Sequence, residues 1–175
     1  MKFHLFEAMS KSEAEEYLNE FLAFGKDCGM NILEENLSFA LDHTVESLPA
    51  VFKALVPILK TLPRAPDPNV PDFIRNTEDY KTGLFDFDDA SNAILLAAAY
   101  YFGTTFVRTF PQLEWAIGDV DYRYCNMPVV TGFKFNKELA PTLISENIFR
   151  GAVEQGLNED PSIDTVIENW STKYF

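Results

Sequence analysis

The longest apolar stretch of the chain, residues 93–102, predicts a buried central helix. It reads Ala-Ile-Leu-Leu-Ala-Ala-Ala-Tyr-Tyr-Phe, and its only polar groups are the two tyrosine hydroxyls. Alanine and leucine favour helices, and a helix that is apolar on every side is a buried one. Asp88 and Asp89 precede the run and supply the cap and negative charge that a helix N-terminus favours. We therefore predict a central helix over 89–110.

The N-terminal region has the pattern of an amphipathic helix with an acidic outer face. Ser10 and Glu13 match a capping box, and apolar residues then recur at helical spacing up to Gly25 or Gly29, where we expect the helix to end. The opposite side of this helix carries carboxylates: Glu13, Glu16, Glu20 and Asp27. Such a face is usually solvated, and it is also a candidate docking surface.

Three more segments show helical spacing of apolar residues: 48–62, 141–156 and 161–170. In the first of them, Pro57 removes one backbone hydrogen bond and should kink the helix. The third is a short amphipathic segment that we interpret as the last helix of the chain.

Strands are predicted in two regions. Residues 36–42 alternate apolar and polar side chains, which is typical of a short, half-buried strand. Segments 115–117, 122–125 and 128–135 are rich in β-branched and aromatic residues and are separated by turn signals. We expect these three to form an antiparallel meander.

Residues 63–87 predict a long irregular connection. Four prolines fall within residues 63–71, which excludes a helix or a central strand there. Loops of this length are uncommon unless they are functional or packed by their own side chains. This loop is therefore a candidate surface for a partner or ligand.

Together these elements predict one α+β domain spanning residues 1–175. We expect a small antiparallel sheet of about three to four strands, packed against a bundle of four to five helices around the central helix. A length of 175 residues with 47% hydrophobic residues suits one domain with a substantial core.

The net charge of −13, from 14 basic and 27 acidic residues, narrows the possible partners. It disfavours nucleic acid and anionic membranes, because binding to phosphate depends on Lys and Arg. It favours a basic protein partner. The N-terminal sequence does not resemble a secretory signal and no apolar run is long enough to span a membrane, so a cytoplasmic location is expected. Cys28 and Cys125 are expected to be reduced and buried.

Motifs for catalysis, metals and cofactors are sparse. His4 and His43 are the only histidines; Asp42 and His43 could belong to a triad, but the sequence marks no nucleophile, and a turn role is the simpler interpretation. Neither a zinc ligand pattern nor a glycine-rich phosphate loop is present, so no cofactor is predicted. The acidic cluster of Asp86, Asp88 and Asp89 could bind Mg²⁺ or Ca²⁺, yet capping of the central helix explains it more simply.

Aromatic residues beside an arginine form the other candidate surface. In a strand, Tyr122 and Tyr124 would share one sheet face and Arg123 would lie on the other. Aromatic residues and arginine are enriched in interface hot spots. Trp115 is either part of the same surface or a lid on the core.

Four segments resemble a loose group of small bacterial proteins of uncharacterised function, some of which are immunity proteins of polymorphic toxin systems. In chain order these segments are residues 41–48, residues 101–106, Trp115 and residues 127–130. The resemblance covers residues 36–155, with Thr104 standing where such proteins often carry Glu. It implies an α+β fold, no known chemistry and a toxin-neutralising partner.

The leading hypothesis is a non-enzymatic, acidic, cytoplasmic protein that binds another protein, with immunity against a basic toxin as its specific form. The candidate partner-binding residues are Glu13, Glu16, Glu20, Asp86, Asp88, Tyr122, Arg123 and Tyr124. One alternative is a divalent-cation-dependent enzyme or small-ligand-binding domain that uses the acids at 86–89. Another is a subunit of a larger assembly with the 63–87 loop as its interface.

Overall fold

The structure is a computed structural model that describes residues 4–119, 124–155 and 163–173. Its helices are α1 (His4–Glu7), α2 (Lys11–Phe24), α3 (Met30–Asn36), α4 (Leu48–Leu55), α5 (Asp72–Arg75), α6 (Glu78–Thr82), α7 (Asp89–Thr109), α8 (Pro141–Gln155) and α9 (Ile163–Glu168). Its strands are β1 (Thr61–Pro63), β2 (Phe85–Phe87), β3 (Glu114–Ile117) and β4 (Pro128–Thr131). The predicted α+β class is confirmed.

Helix α7 is the predicted central helix, and α2, α3, α4 and α8 pack around it. Tyr101, Phe102 and Phe106 are fully buried. By length and composition α7 could cross a membrane, so the expectation that no apolar segment is long enough was wrong, but 67% of its apolar window is buried inside the fold. That burial is typical of a core helix, and it agrees with the prediction from the apolar run.

The N-terminal helix begins as predicted but does not stop at either glycine. Both halves of the capping box between Ser10 and Glu13 are formed. The chain then continues through a π-helical turn, Gly25–Gly29, directly into α3. Gly25 has ordinary right-handed helical angles, φ −58° and ψ −44°. The expected stop was wrong because these glycines allow close approach to α7 instead of ending the helix. We call the continuous segment Lys11–Asn36 the acidic rod.

Two further predictions around α4 were wrong. Residues 36–42 form no strand: Asn36 ends α3, and the residues after it bend at 38–39 and pair with no strand in the described chain. Helix α4 ends at Leu55 and is followed by a 3₁₀ turn, Val56–Ile58, so Pro57 stops the helix where a kink was expected.

The described strands form two separate two-stranded antiparallel sheets, where one meander was predicted. Strand β3 pairs directly with β4, from Glu114 opposite Thr131 to Ile117 opposite Pro128. The expected middle strand at 122–125 is wrong for Tyr124 and Cys125, which lie in a turn, and Tyr122 and Arg123 lie outside the described residues.

Strands β1 and β2 close the base of residues 61–87, which we call the excursion. The predicted irregular loop is thus partly ordered, since it contains α5 and α6, whereas residues 64–70 hold neither helix nor strand, as expected. The expectation of buried thiols fails at Cys28, which is exposed in the π-helical turn; Cys125 is half-buried, and both are free.

Candidate functional site

The predicted glutamates of α2 are all exposed on the outer side of the acidic rod. The Glu13 carboxylate accepts hydrogen bonds from the Ser10 backbone N–H and from Ser10 Oγ, both at 2.7 Å. These bonds, the backbone one most strongly, lower the pKa of Glu13. The rod exposes seven carboxylates and has only two lysines, Lys11 and Lys26, so its formal charge is −5. The acids are Glu13, Glu15, Glu16, Glu20, Asp27, Glu34 and Glu35.

The three acids at 86–89 have separate structural tasks. Asp88 caps α7, because its Oδ1 accepts the Ser91 N–H at 2.8 Å; this bond lowers the pKa of Asp88. Asp86 Oδ1 lies 3.5 Å from Arg64 Nη1 and 3.8 Å from Arg150 Nη2. Asp89 is exposed in the first turn of α7. Within the described residues, no group of three His, Cys, Asp or Glu side chains could hold a metal ion.

Tyr124 does not present an aromatic face on a sheet. It is half-buried and packs with Phe6, Met127 and Val129 in a small second apolar cluster. Tyr122 and Arg123 lie outside the described residues. The structure therefore does not gather the predicted residues into one site: the glutamates lie on the acidic rod, Asp86 lies in β2 with Asp88 just after it, and Tyr124 packs against the second apolar cluster.

A groove of about 540 Å³ lies between the acidic rod, the C-terminal half of α7 and β3. We call it the α2–α7 groove. Its side chains come from Leu22, Ala23, Lys26 and Asp27 on the rod, Tyr100, Thr104, Val107 and Arg108 on α7, and Trp115 on β3. Sequence reasoning interpreted Tyr100 only as part of a buried run and Trp115 as a lid or interface residue, and it missed this groove.

Two glycines position the aromatic walls of the groove. A Cβ on Gly103 would lie 2.3 Å from Trp115 Cη2, and a Cβ on Gly25 would lie 2.1 Å from Tyr100 Cγ. Both distances are impossible for real atoms, so only glycine allows the rings to lie where they do. Phe21 from α2 packs edge-on against both rings, with centroid distances of 6.3 Å to Tyr100 and 5.5 Å to Trp115. The walls are thus fixed from two sides.

Arg108 differs from the other arginines of the described residues. Arg64, Arg75 and Arg150 each form an ion pair with a carboxylate, whereas no carboxylate of the described residues forms an ion pair with Arg108. Its position in the last turn of α7 favours a positive charge through the helix dipole. The chain has about twice as many acidic as basic residues, yet no described carboxylate pairs with Arg108. The guanidinium group of Arg108 can therefore bind an anion from outside the chain.

His43 contacts Tyr101 of α7, the residue that follows Tyr100 of the groove. The His43 backbone N–H donates to Tyr101 Oη at 3.0 Å, and the two rings lie 4.8 Å apart. Tyr101 Oη also lies 3.3 Å from Ser47 Oγ. Burial lowers the pKa of His43 most strongly, and the positive charge of Arg108 lowers it further. The negative charge of Asp42 raises this pKa by a smaller amount.

The predicted Asp42–His43 pair is not arranged as a catalytic relay. The Asp42 carboxylate accepts the Thr44 N–H and the Thr44 hydroxyl, both at 2.9 Å. His43 Nδ1 is buried and has no hydrogen-bond partner among the described residues. His43 also has a φ of +54°, the left-handed conformation of a turn. The geometry therefore agrees with the turn interpretation.

A sequence signal for the groove existed in the spacing of its α7 residues. Tyr100, Thr104 and Arg108 follow one another at intervals of four, which places them on one face of a helix. Two glycines inside an otherwise helical N-terminal pattern were the second signal, since such glycines permit close packing as well as ending helices.

Several residues behind the proposed resemblance meet around α7. His43 contacts Tyr101, and Trp115 closes over Gly103. No protein-family model matches the chain, and comparisons with curated proteins and with solved structures find no match. The resemblance to immunity proteins therefore stays a prediction.

Proposed function

We propose that this chain acts by binding a basic protein through the outer face of the acidic rod. The observation that carries the proposal is the set of seven exposed carboxylates against two lysines on one continuous helical segment. Ala14 and Phe21 of α2 are buried against the fold, so packing directs the acidic side outward. Such a field mainly accelerates encounter and selects the partner.

Affinity requires an apolar anchor beside this field. Phe39 follows the end of the rod by three residues and is 39% exposed. An aromatic ring at that position can enter a pocket on the partner while the carboxylates contact its basic rim. A toxin that is neutralised by this chain would be one such partner, in line with the resemblance to immunity proteins.

The test is recovery of partners from the native cell with a tagged chain at low and high salt. The test variant is Glu16→Lys with Glu20→Lys, which reverses two exposed charges on α2. The matched control is Glu154→Lys with Glu168→Lys, which makes the same charge change on α8 and α9 at exposed positions. Glu13 is left intact because it belongs to the capping box.

We expect the unaltered chain and the control to recover a protein rich in Lys and Arg at low salt, with less recovered at high salt. The test variant should lose it. Recovery of no partner under any condition, or equal recovery by both charge variants, would contradict the proposal.

A second interface is favoured by the apolar side chains of the excursion. Phe73 is 77% exposed, Leu62 is 56% exposed and Ile74 is 40% exposed. Large apolar side chains on one exposed segment are typical of interaction surfaces. We propose that the excursion contacts another subunit of an assembly. Phe73→Ser with Leu62→Ser should then lose a partner that the rod variant still recovers, and recovery unchanged by these substitutions would contradict this second proposal.

A further inference from the structure

We propose that the α2–α7 groove binds a small organic anion with a flat apolar body. Arg108 and Lys26 would hold its carboxylate or phosphate group, and Tyr100 and Trp115 would contact its flat body. This site goes beyond the proposed protein-binding function, because the contacts come from two basic and two aromatic side chains instead of the carboxylates of the rod, and the ligand belongs to a different class.

The charge of the groove carries the first step. Lys26 and Arg108 are exposed and line the groove together with a single acid, Asp27. The local formal charge is thus +1 in a chain whose net charge is −13. The planar guanidinium of an arginine binds carboxylates and phosphates through two parallel hydrogen bonds. Arg108, with no carboxylate partner among the described residues, is available for such a contact.

The shape of the groove carries the second step. Its volume of about 540 Å³ lies in the range typical of small-molecule sites. Trp115 and Tyr100 are placed by Gly103 and Gly25, and Phe21 packs against both rings. Because these side chains are already fixed before binding, less side-chain entropy is lost when a ligand binds between them.

Thr104 carries the third step. It lines the groove and is 8% exposed, and its Oγ1 has no hydrogen-bond partner among the described residues. A buried hydroxyl without a partner is energetically unfavourable. The Oγ1 atom is itself closed to solvent, so a ligand oxygen in the groove would supply this missing partner after the Thr104 side chain rotates toward the groove. The π-helical turn that carries Lys26 agrees with the inference, because such turns occur frequently at functional sites.

The test uses 2-naphthoate, 1-naphthyl phosphate and the neutral isostere 2-naphthamide as probes. Trp170→Phe leaves Trp115 as the sole tryptophan, so 5-fluorotryptophan gives a single ¹⁹F resonance from the groove. Isothermal titration calorimetry measures affinity, and the ¹⁹F shift reports where the probe binds. The two anions distinguish a carboxylate from a phosphate preference.

We expect at least one anion to bind about tenfold more tightly than the amide and to shift the Trp115 resonance. Arg108→Gln should weaken anion binding about tenfold, Lys26→Gln should weaken it less, and the control Arg75→Gln should leave it unchanged. Thr104→Val keeps the shape of the side chain and should also weaken binding, while thermal unfolding shows that each variant is folded.

Three outcomes would overturn the inference. Anions and the amide could bind equally, Arg108→Gln could leave anion binding unchanged, or no probe could shift the Trp115 resonance at millimolar concentration. Arg108 is exposed, so Arg108→Gln is expected to fold and to keep the test decisive.

Discussion

Helix α7 and the excursion of residues 61–87 are ordered by different means. The middle of α7 is enclosed by helices on several sides, and its large side chains Tyr101, Phe102 and Phe106 are fully buried. Within the described residues, the excursion has short elements, exposed apolar side chains and a two-stranded sheet at its base. Arg150 of α8 joins this base to the fold, since it donates to the Phe85 carbonyl oxygen at 3.1 Å.

The difference shows where each region obtains its stability. Burial of apolar area stabilises α7, and its contribution to the free energy of unfolding is large. Phe85 and Phe87 anchor one end of the excursion in the core. The rest of it depends on contacts between residues far apart in sequence, such as Arg64 with Asp86, and exposed ion pairs of this kind stabilise little. The excursion should therefore open at a lower free energy than α7.

Two phenylalanine truncations give the largest expected contrast between these regions. Phe102 is fully buried and packs edge-on against Phe52 and Phe106, with centroids 5.9 and 5.5 Å away. Phe102→Ala should lower the free energy of unfolding by about 3–5 kcal/mol because it leaves a cavity. Phe73→Ala should change it by less than about 0.5 kcal/mol. Urea denaturation measures both, and equal losses would show that the excursion is as tightly packed as α7.

The same contrast explains which elements could be predicted from sequence. Residues 93–102 are apolar throughout, and Ser10 with Glu13 forms a local capping signal, so α7 and the start of α2 were predicted correctly. The pairing of β1 with β2 joins Thr61 to Phe87 across 26 residues, and no local pattern encodes such a partner. Residues 36–42 have the alternation of a strand, yet no strand lies beside them in the described chain.

The candidate groove was harder to predict than the fold. Its positive charge comes from Lys26 and Arg108, which are 82 positions apart and line one groove only because the acidic rod packs on α7. Gly25 was interpreted as a helix stop, although its role is to admit the Tyr100 ring. The sequence shows that a glycine is present at this position. Which side chain fills the space that a Cβ would occupy is decided by tertiary packing, which the local sequence does not encode.

Two glycine substitutions give a smaller contrast, of opposite sign, within the helical part of the fold. Gly103→Ala would place a methyl group 2.3 Å from Trp115, so the ring must move, and we expect a loss of about 1–3 kcal/mol. Gly151→Ala on α8 meets no atom within 4 Å and should stabilise the chain by about 0.4–1 kcal/mol. Thermal and urea unfolding measure both. A stabilising Gly103→Ala would mean that Trp115 is not held by the glycine.

The smallest expected effect is the dependence of stability on pH. A lower pH should destabilise the α7 region and leave the stability of the excursion unchanged. The folded-state pKa of His43 lies below the ordinary value of about 6.5, because burial and Arg108 disfavour the charged ring. The unfolded chain therefore binds a proton more readily than the folded chain. Stability is fully present above about pH 6.5 and falls as the pH drops toward the folded-state pKa. The excursion contains no histidine.

The measurement is the urea midpoint at pH 7.5 and 5.5 for the unaltered chain and for His43→Asn. Asparagine tolerates the φ of +54° at this position, so the turn is retained. The midpoint of the unaltered chain should fall toward pH 5.5, and that of His43→Asn should fall less. The lowered pKa values of Glu13, Asp42 and Asp88 act in the same direction only at more acidic pH, and they are common to both proteins.

Hydrogen exchange, corrected for intrinsic rates, should show a loss of protection at pH 5.5 for the α7 amides near Tyr101. Protection of the amides in β1 and β2 should be kept. A loss of protection confined to β1 and β2 would contradict the prediction, because His43 contacts α7 and the excursion contains no histidine.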